Sequence, residues 1–188
     1  MPVHVMFTRV LARSAVGTVL LALVLLGLTA PTQAVTRPAT SDAAAGQSTQ
    51  LVAAQSAGLR ARKKARLMRV KRMLRIVRNQ KGDPYSYGAA GPNRFDCSGL
   101  VYFSTHKAGF RRVPRTSSQQ GSFMRRIPRK AMRPGDFVFF TGGSGVYHVG
   151  VFAGRSKGRR MIVHAPGSGQ RVTTARIWTD RWFAGTLR

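Results

Sequence analysis

The chain has no glutamate and one cysteine, and its only acids are five aspartates in 188 residues. A lone cysteine excludes a disulfide within the chain. Cys97 is therefore a buried inert side chain, a link to another chain, or a reactive thiol. The tight ligand spacing of structural zinc motifs is missing, and nothing in the sequence demands a metal or an organic cofactor. Long apolar runs are absent too. The apolar stretch Ala15–Leu28 covers fourteen residues, short of the roughly 20 needed to span a bilayer.

That stretch follows Arg9 and Arg13 and precedes Ala30-Pro31-Thr32-Gln33-Ala34. Residues 1–34 thus have the layout of a secretory signal peptide, with a cut expected before Val35 and no stable membrane span after it. Residues 35–58, rich in Ala, Thr, Ser and Gln and without aromatics, read as a flexible linker. No internal repeat is visible, and residues 59–188 are left as the folded domain.

Against the five acids stand 32 Lys and Arg residues, giving a net charge of +27. Such a charge holds a protein on anionic polymers by counterion release and long-range attraction. The export signal favours the anionic polymers of a cell envelope over a specific nucleic acid. Where acid is this scarce, the aspartates inside motif-like segments, Asp83, Asp96 and Asp136, are expected to have particular tasks.

Between Arg60 and Lys81 lie eleven basic residues, and within that stretch Leu67, Val70, Leu74 and Val77 recur at helical spacing. The pattern predicts a helix with one apolar stripe for the domain and a basic face turned away from it. Gly82-Asp83-Pro84 ends it. A second helix is expected from Cys97 to about Ala108, closed by Gly109. Strands are then predicted over Asp136–Phe140, Val146–Ala153, Met161–Ala165 and Arg171–Ile177, separated by short turns that favour an antiparallel meander. Helices first and strands second make an α+β domain.

A thiol with a pKa near 8.5 is only about 3% thiolate at pH 7, and a helix N-terminus or a neighbouring imidazolium can lower that pKa. His106 lies nine residues beyond Cys97 on the same helix, about 900° around and about 13 Å along, so it points away. His148 and His164 remain, each on a predicted strand. If their strands pair with both rings on one face, His164 can orient His148 in the manner of a triad.

At these residues the sequence resembles the NlpC/P60 cysteine peptidases. The likeness runs through Gly82-Asp83-Pro84-Tyr85-Ser86-Tyr87-Gly88, Phe95-Asp96-Cys97-Ser98-Gly99-Leu100-Val101, and Pro114-Arg115-Thr116-Ser117 with Gln120. It continues in Arg133-Pro134-Gly135-Asp136-Phe137-Val138-Phe139-Phe140, His148-Val149-Gly150-Val151 and Ile162-Val163-His164-Ala165-Pro166. The resemblance implies a circularly permuted papain-like fold, with N-terminal helices packed on an antiparallel sheet. It also implies a secreted, wall-associated peptidoglycan hydrolase that cuts the bond between D-γ-glutamate and a diamino acid, typically diaminopimelate, in wall stem peptides.

On that reading Cys97 is the nucleophile, His148 carries the proton and His164 orients it, while Tyr85, Asp96 and Ser98 hold the substrate. Asp96 also suits an N-cap, Asp136, in a Pro-Gly-Asp turn entering a strand, reads as structural, and Asp83 reads as a turn residue. Two departures from the family pattern fall near the expected cleft: Tyr87 stands where tryptophan is common, and Ala89-Ala90 replaces a more glycine-rich stretch. An amidase or acyltransferase on the same scaffold, and a non-catalytic basic wall-binding protein, are the alternative readings.

Overall fold

The structure is a computed structural model that describes residues 41–188; the expected signal peptide lies outside the described residues. The first described element is a helix, α1, over Ser41–Asn79. The expected linker is therefore helical from Ser41 onward. Its Ala, Gln and Leu residues are strong helix formers and no proline interrupts them. At 1.5 Å per residue, 39 residues extend about 58 Å. Only the C-terminal part of α1 packs on the domain, through Val70, Met73, Leu74 and Val77, whereas Leu67 is 41% exposed. The docking stripe thus begins one turn later than the sequence pattern indicates, and Met73 joins it. No described helix is long and apolar enough to cross a membrane.

Two further helices, α2 (Cys97–Lys107) and α3 (Ser117–Phe123), precede the strands. The strands are β1 (Arg125–Ile127), β2 (Phe137–Gly142), β3 (Gly145–Ser156), β4 (Arg159–His164), β5 (Thr173–Arg176) and β6 (Trp182–Thr186). They form one antiparallel sheet in the order β1-β6-β2-β3-β4-β5. The meander β2-β3-β4-β5 follows the sequence expectation. The chain end does not: β6 returns to fill the place between β2 and β1.

Alternation along β2 serves both faces of the sheet. Phe137 and Phe139 join Val149, Val151 and Val163 in a core with Val70, Met73, Val77, Leu100 and Val101 of the helices. Val138 and Phe140 turn to the other face, where Phe152, Ile162, Trp182 and Ala184 make a second cluster. Each such fully buried large side chain stabilises the fold by about 1.5–3 kcal/mol. Asp136, at the entry to β2, accepts hydrogen bonds from Arg133 N (2.7 Å) and Thr186 Oγ1 (2.6 Å) and pairs with Arg188. Its carboxylate thereby ties the chain's end to the start of the central strand, the structural task expected of it.

Candidate active site

Helix α2 starts at the thiol. Asp96 has extended backbone angles (φ −89°, ψ 177°) and caps the helix by accepting from Gly99 N at 2.6 Å. Gly99 itself is required by crowding: a Cβ there would lie 2.0 Å from the Ala89 carbonyl oxygen. The 85–90 loop therefore sits directly on the first turn of α2. It is held by Asp96 N donating to Ala89 O (2.9 Å) and Gly88 N donating to Asp96 Oδ2 (3.0 Å).

Arg115 completes the surroundings of Asp96. Its guanidinium donates to Oδ1 at 3.1 Å and to Oδ2 at 2.6 Å, and also to Ser98 Oγ at 3.0 Å. Ser98 Oγ in turn donates to Asp96 Oδ1 at 3.1 Å. Burial alone would push the Asp96 carboxyl up, but Arg115, the Gly99 N–H and Ser98 together bring it below the usual carboxylate range. Buried Gln120 braces the same corner, donating to Ser98 O (3.0 Å) and Pro114 O (2.8 Å).

The histidines come from the sheet. Strand β4 ends at His164, and its register pairs Val163 with Val151 and Ile162 with Phe152. His148 and His164 are then diagonal neighbours on one face, and His148 Nε2 lies 2.9 Å from His164 Nδ1. Gly150 sits between them on that face. A Cβ there would lie 2.7 Å from Ile162 Cδ1 and 3.4 Å from His164 Cβ, so its bareness lets β4 close over β3. Beyond the end of β4, the backbone of Val149, the residue next to His148, is near enough to the Cys97 thiol to counter part of the upward push that burial gives it.

Tyr85, Asp96, Cys97 and Ser98 line one cavity of about 510 Å³ together with Tyr87, Arg115 and Tyr147. His148 and His164 are buried, 7% and 5% exposed, and do not line that cavity. His106 points elsewhere, its Nδ1 lying 2.9 Å from Tyr102 O, as its place on the helix predicts. Among the described residues no group of three or more His, Cys, Asp or Glu side chains gathers to hold a metal ion.

The electrostatics differ from the expectation of an activated thiolate. Burial pushes the Cys97 thiol up, and nearby Asp96 adds to that push. The Val149, Ser98 and Cys97 N–H groups act the other way without overcoming it. Burial, and next the facing His164 ring, push His148 down to about 3, while burial pushes His164 down to about 4. The resting pair is therefore a neutral thiol and a neutral imidazole. Desolvation outweighs the helix terminus here even though Cys97 is only partly buried and lines the cavity. Burial also raises Tyr85, with Cys97 and Asp96 contributing.

Three contributors escaped the sequence reading. Arg115 stood inside a quoted motif, and the scarcity of acids was the signal that each buried carboxylate would hold an arginine. Tyr147 is simply the neighbour of His148. Trp178 stacks on Phe140 (4.1 Å, 7°), with its ring 5.6 Å from His148 and 5.3 Å from His164. No local pattern announces it, because its place depends on the turn between β5 and β6.

A family model described as NlpC/P60 matches residues 82–187, and the chain belongs to that family. Over 76 residues it is 45% identical to the probable endopeptidase p60 of Listeria monocytogenes, a match that covers 40% of this chain and 16% of that protein. Over 81 residues it is 41% identical to the bifunctional muramidase/DL-endopeptidase CwlT of Bacillus subtilis, covering 41% of this chain and 24% of that one. The chain therefore spans between a sixth and a quarter of the length of these two relatives. Among solved structures, the P60 domain of a Mycobacterium avium subspecies paratuberculosis antigen superposes with a TM-score of 0.57 at 27% identity, covering 65% of this chain and 96% of that one. The peptidoglycan hydrolase RipB of Mycobacterium tuberculosis gives 0.57 at 28% identity and 67% coverage of both. RipD of the same organism, described as a non-catalytic NlpC/p60 protein, shares the fold at 19% identity and a TM-score of 0.54.

Proposed function

We propose that this protein is a secreted cysteine endopeptidase that hydrolyses the bond between D-γ-glutamate and a diamino acid, such as diaminopimelate, in peptidoglycan stem peptides. The observation that carries the reading is the 2.9 Å contact between His148 Nε2 and His164 Nδ1, on a strand whose next residue, Val149, brings its backbone near the Cys97 thiol. With Nε2–H donated to His164, the Nδ1 lone pair of His148 is left free as a base.

The neutral resting pair sets the order of events. Sulfur attacks the γ-carbonyl carbon as the thiol proton passes to His148 Nδ1, forming the S–C bond and a tetrahedral oxyanion. The Cys97 N–H, at the first position of α2 and free of any intrahelical partner, faces that oxyanion. The C–N bond then breaks, and the amine leaves with the proton from His148. Water adds to the thioester, giving a proton to His148. The C–S bond breaks, and the proton returns to sulfur.

Tyr85, Asp96 and Ser98 hold the acyl half of the substrate in the cavity beside the thiol. Asp96 meets the substrate as an aspartate–arginine pair, because its carboxylate already accepts from Arg115, Gly99, Gly88 and Ser98. The basic surface keeps the enzyme on anionic wall polymers. Binding to purified walls should collapse as salt approaches 1 M, where screening acts over only about 3 Å; unchanged pelleting there would remove that part.

Mass spectrometry of defined muropeptides tests the chemistry. A split at the D-glutamate to diamino acid bond is expected with the wild type and absent with Cys97→Ala. Release of a sugar or an acyl-exchange product instead would point to an amidase or acyltransferase. No cleavage, with wall binding intact, would point to a binding protein.

A further inference from the structure

Two adjoining cavities, of about 480 Å³ and about 400 Å³, lie where α1 leaves the domain surface. Neither shares a lining residue with the cavity of Cys97. The first reaches Gly109, just past the C-terminal end of α2, whereas the thiol stands at that helix's first residue, about 16 Å away along the axis. Arg66, Arg125, Thr186 and Arg188 line both cavities, so the two form one continuous groove.

Basic residues from separate segments wall this groove. Arg66 and Arg69 each stand four residues before a buried member of the α1 stripe, Val70 and Met73, so they continue that stripe as the helix runs off the core. Gly109 turns with φ +97°, and a Cβ on it would lie 3.6 Å from Arg69 Cδ. The stem of Arg69 therefore rests on the loop that carries Arg111 and Arg112, which line the first cavity. The register of β1 and β6 sets Arg125 opposite Thr186, and Arg125 Nη2 donates to Arg188 O at 3.2 Å. The second cavity adds Lys63 and Arg133. No acidic residue lines either cavity. Among the described residues the ion pairs are Asp96–Arg115 and Asp136–Arg188, so of these basic groups only Arg188 is in one. Burial and the charges of Arg133 and Arg125 push the Arg188 guanidinium below its usual range, against the pull of Asp136. The groove thus carries uncompensated positive charge.

Guanidiniums suit phosphate oxygens through their paired N–H donors. Spread over two cavities, they suit a row of anions and not a single ion. Leu67 and Phe123, both exposed, give apolar contact among the charges for the short stems that link one anion to the next. A nucleic acid duplex is too broad for cavities of this volume. A single strand wants aromatic platforms for its bases, and Phe123 is the one well-exposed ring on these walls. We infer that this groove binds a narrow, single-chain polyol phosphate polymer of the cell envelope, its phosphodiesters held by the arginines of α1 and of the loop between α2 and α3. The inference rests on the wall-retention part of the reading above and gives it a place, one groove apart from the thiol in place of the whole cationic surface. A polymer bound there leaves the cavity of Cys97 open.

The test measures binding of the protein to soluble poly(glycerol phosphate) across a salt series. Arg66→Gln/Arg69→Gln/Arg112→Gln removes three charges from the groove. Arg155→Gln/Lys157→Gln/Arg159→Gln removes three from the exposed turn between β3 and β4, outside it. The groove variant is expected to bind about tenfold or more weaker, as lost charge-assisted contacts would give. Its slope of log K against log salt should be shallower by about 2, from about 0.7 for each lost phosphate contact. The turn variant should stay within about threefold of the wild type at physiological salt, where distant charges are screened. Equal melting temperatures check that each variant is folded, and Arg111→Gln/Arg112→Gln, which leaves α1 untouched, should show a smaller loss in the same direction. Equal losses in the groove and turn variants would overturn the groove and leave retention to the whole surface. Wild-type protein that binds purified walls but not the polyol phosphate, or that binds polyglutamate, single-stranded DNA or phosphatidylglycerol vesicles more tightly at matched charge, would overturn the occupant. Wild-type protein that binds none of these, walls included, would overturn the retention reading and the groove with it.

Discussion

Asp96 and Asp136 are the same residue held by the same partner, an arginine, in two corners of one domain. Asp136 is wholly enclosed, its side chain 0% exposed, and its donors come from the two chain segments it joins, Arg133 on one side and Thr186 and Arg188 on the other. Asp96 is 11% exposed, and its arginine 32%. It also has a full set of donors, yet one side of the Asp96–Arg115 pair lines the cavity of the thiol. The first pair fastens the chain; the second fastens a helix start and still faces a cavity. In a chain so poor in acid, location separates the two tasks, since their hydrogen-bond chemistry is nearly the same.

The comparison can be broken by substitution. Cys97→Ala sets the scale and should remove about 10⁴-fold or more of kcat/KM while leaving the melting temperature nearly unchanged. His164→Ala, which frees the His148 ring, should cost about 10²–10³-fold in kcat. Asp136→Asn should lower the unfolding free energy by about 3–5 kcal/mol, because it leaves Arg188 with no buried counter-charge. The activity per folded molecule should be retained, as read by urea unfolding and by turnover normalised to folded protein. Asp96→Asn keeps the cap to Gly99 and should cost only about 1–2 kcal/mol, yet it should reduce kcat/KM about tenfold or more. If Asp96→Asn proves the more destabilising of the two and leaves kcat/KM intact, the division of labour is wrong.

Acid should sharpen the contrast at the histidines. Both rings are pushed down by burial, so the unfolded chain binds protons first and stability rises with pH. The full contribution is present above about pH 6.5 and is lost as pH falls toward the folded values. A melting series from pH 7 to 4 should therefore show a steeper fall for the wild type than for His164→Gln. Asp96, also lowered in the fold, adds its own loss only below about pH 4. This is the smallest of the expected effects.

Much of this site was legible before any coordinates. The Asp96 cap, the exclusion of His106 and the facing of His148 and His164 follow from helical and strand periodicity, which are local properties of the chain. Other features depend on distant partners. The exposed half of α1 has no apolar stripe to give a periodic signal; propensity alone makes it helical, so it read as linker. Strand β6 exists only because β1 and β2 receive it. The direction of the thiol's pKa escapes the sequence for a similar reason: a helix terminus is visible there, whereas the burial that pushes the thiol up is not.

The partial burial of the sulfur has a further chemical effect. Oxidants react with thiolate far faster than with thiol. Burial pushes the Cys97 thiol up toward its protonated form, so a sulfur that lines a cavity is nonetheless slow to oxidise at neutral pH.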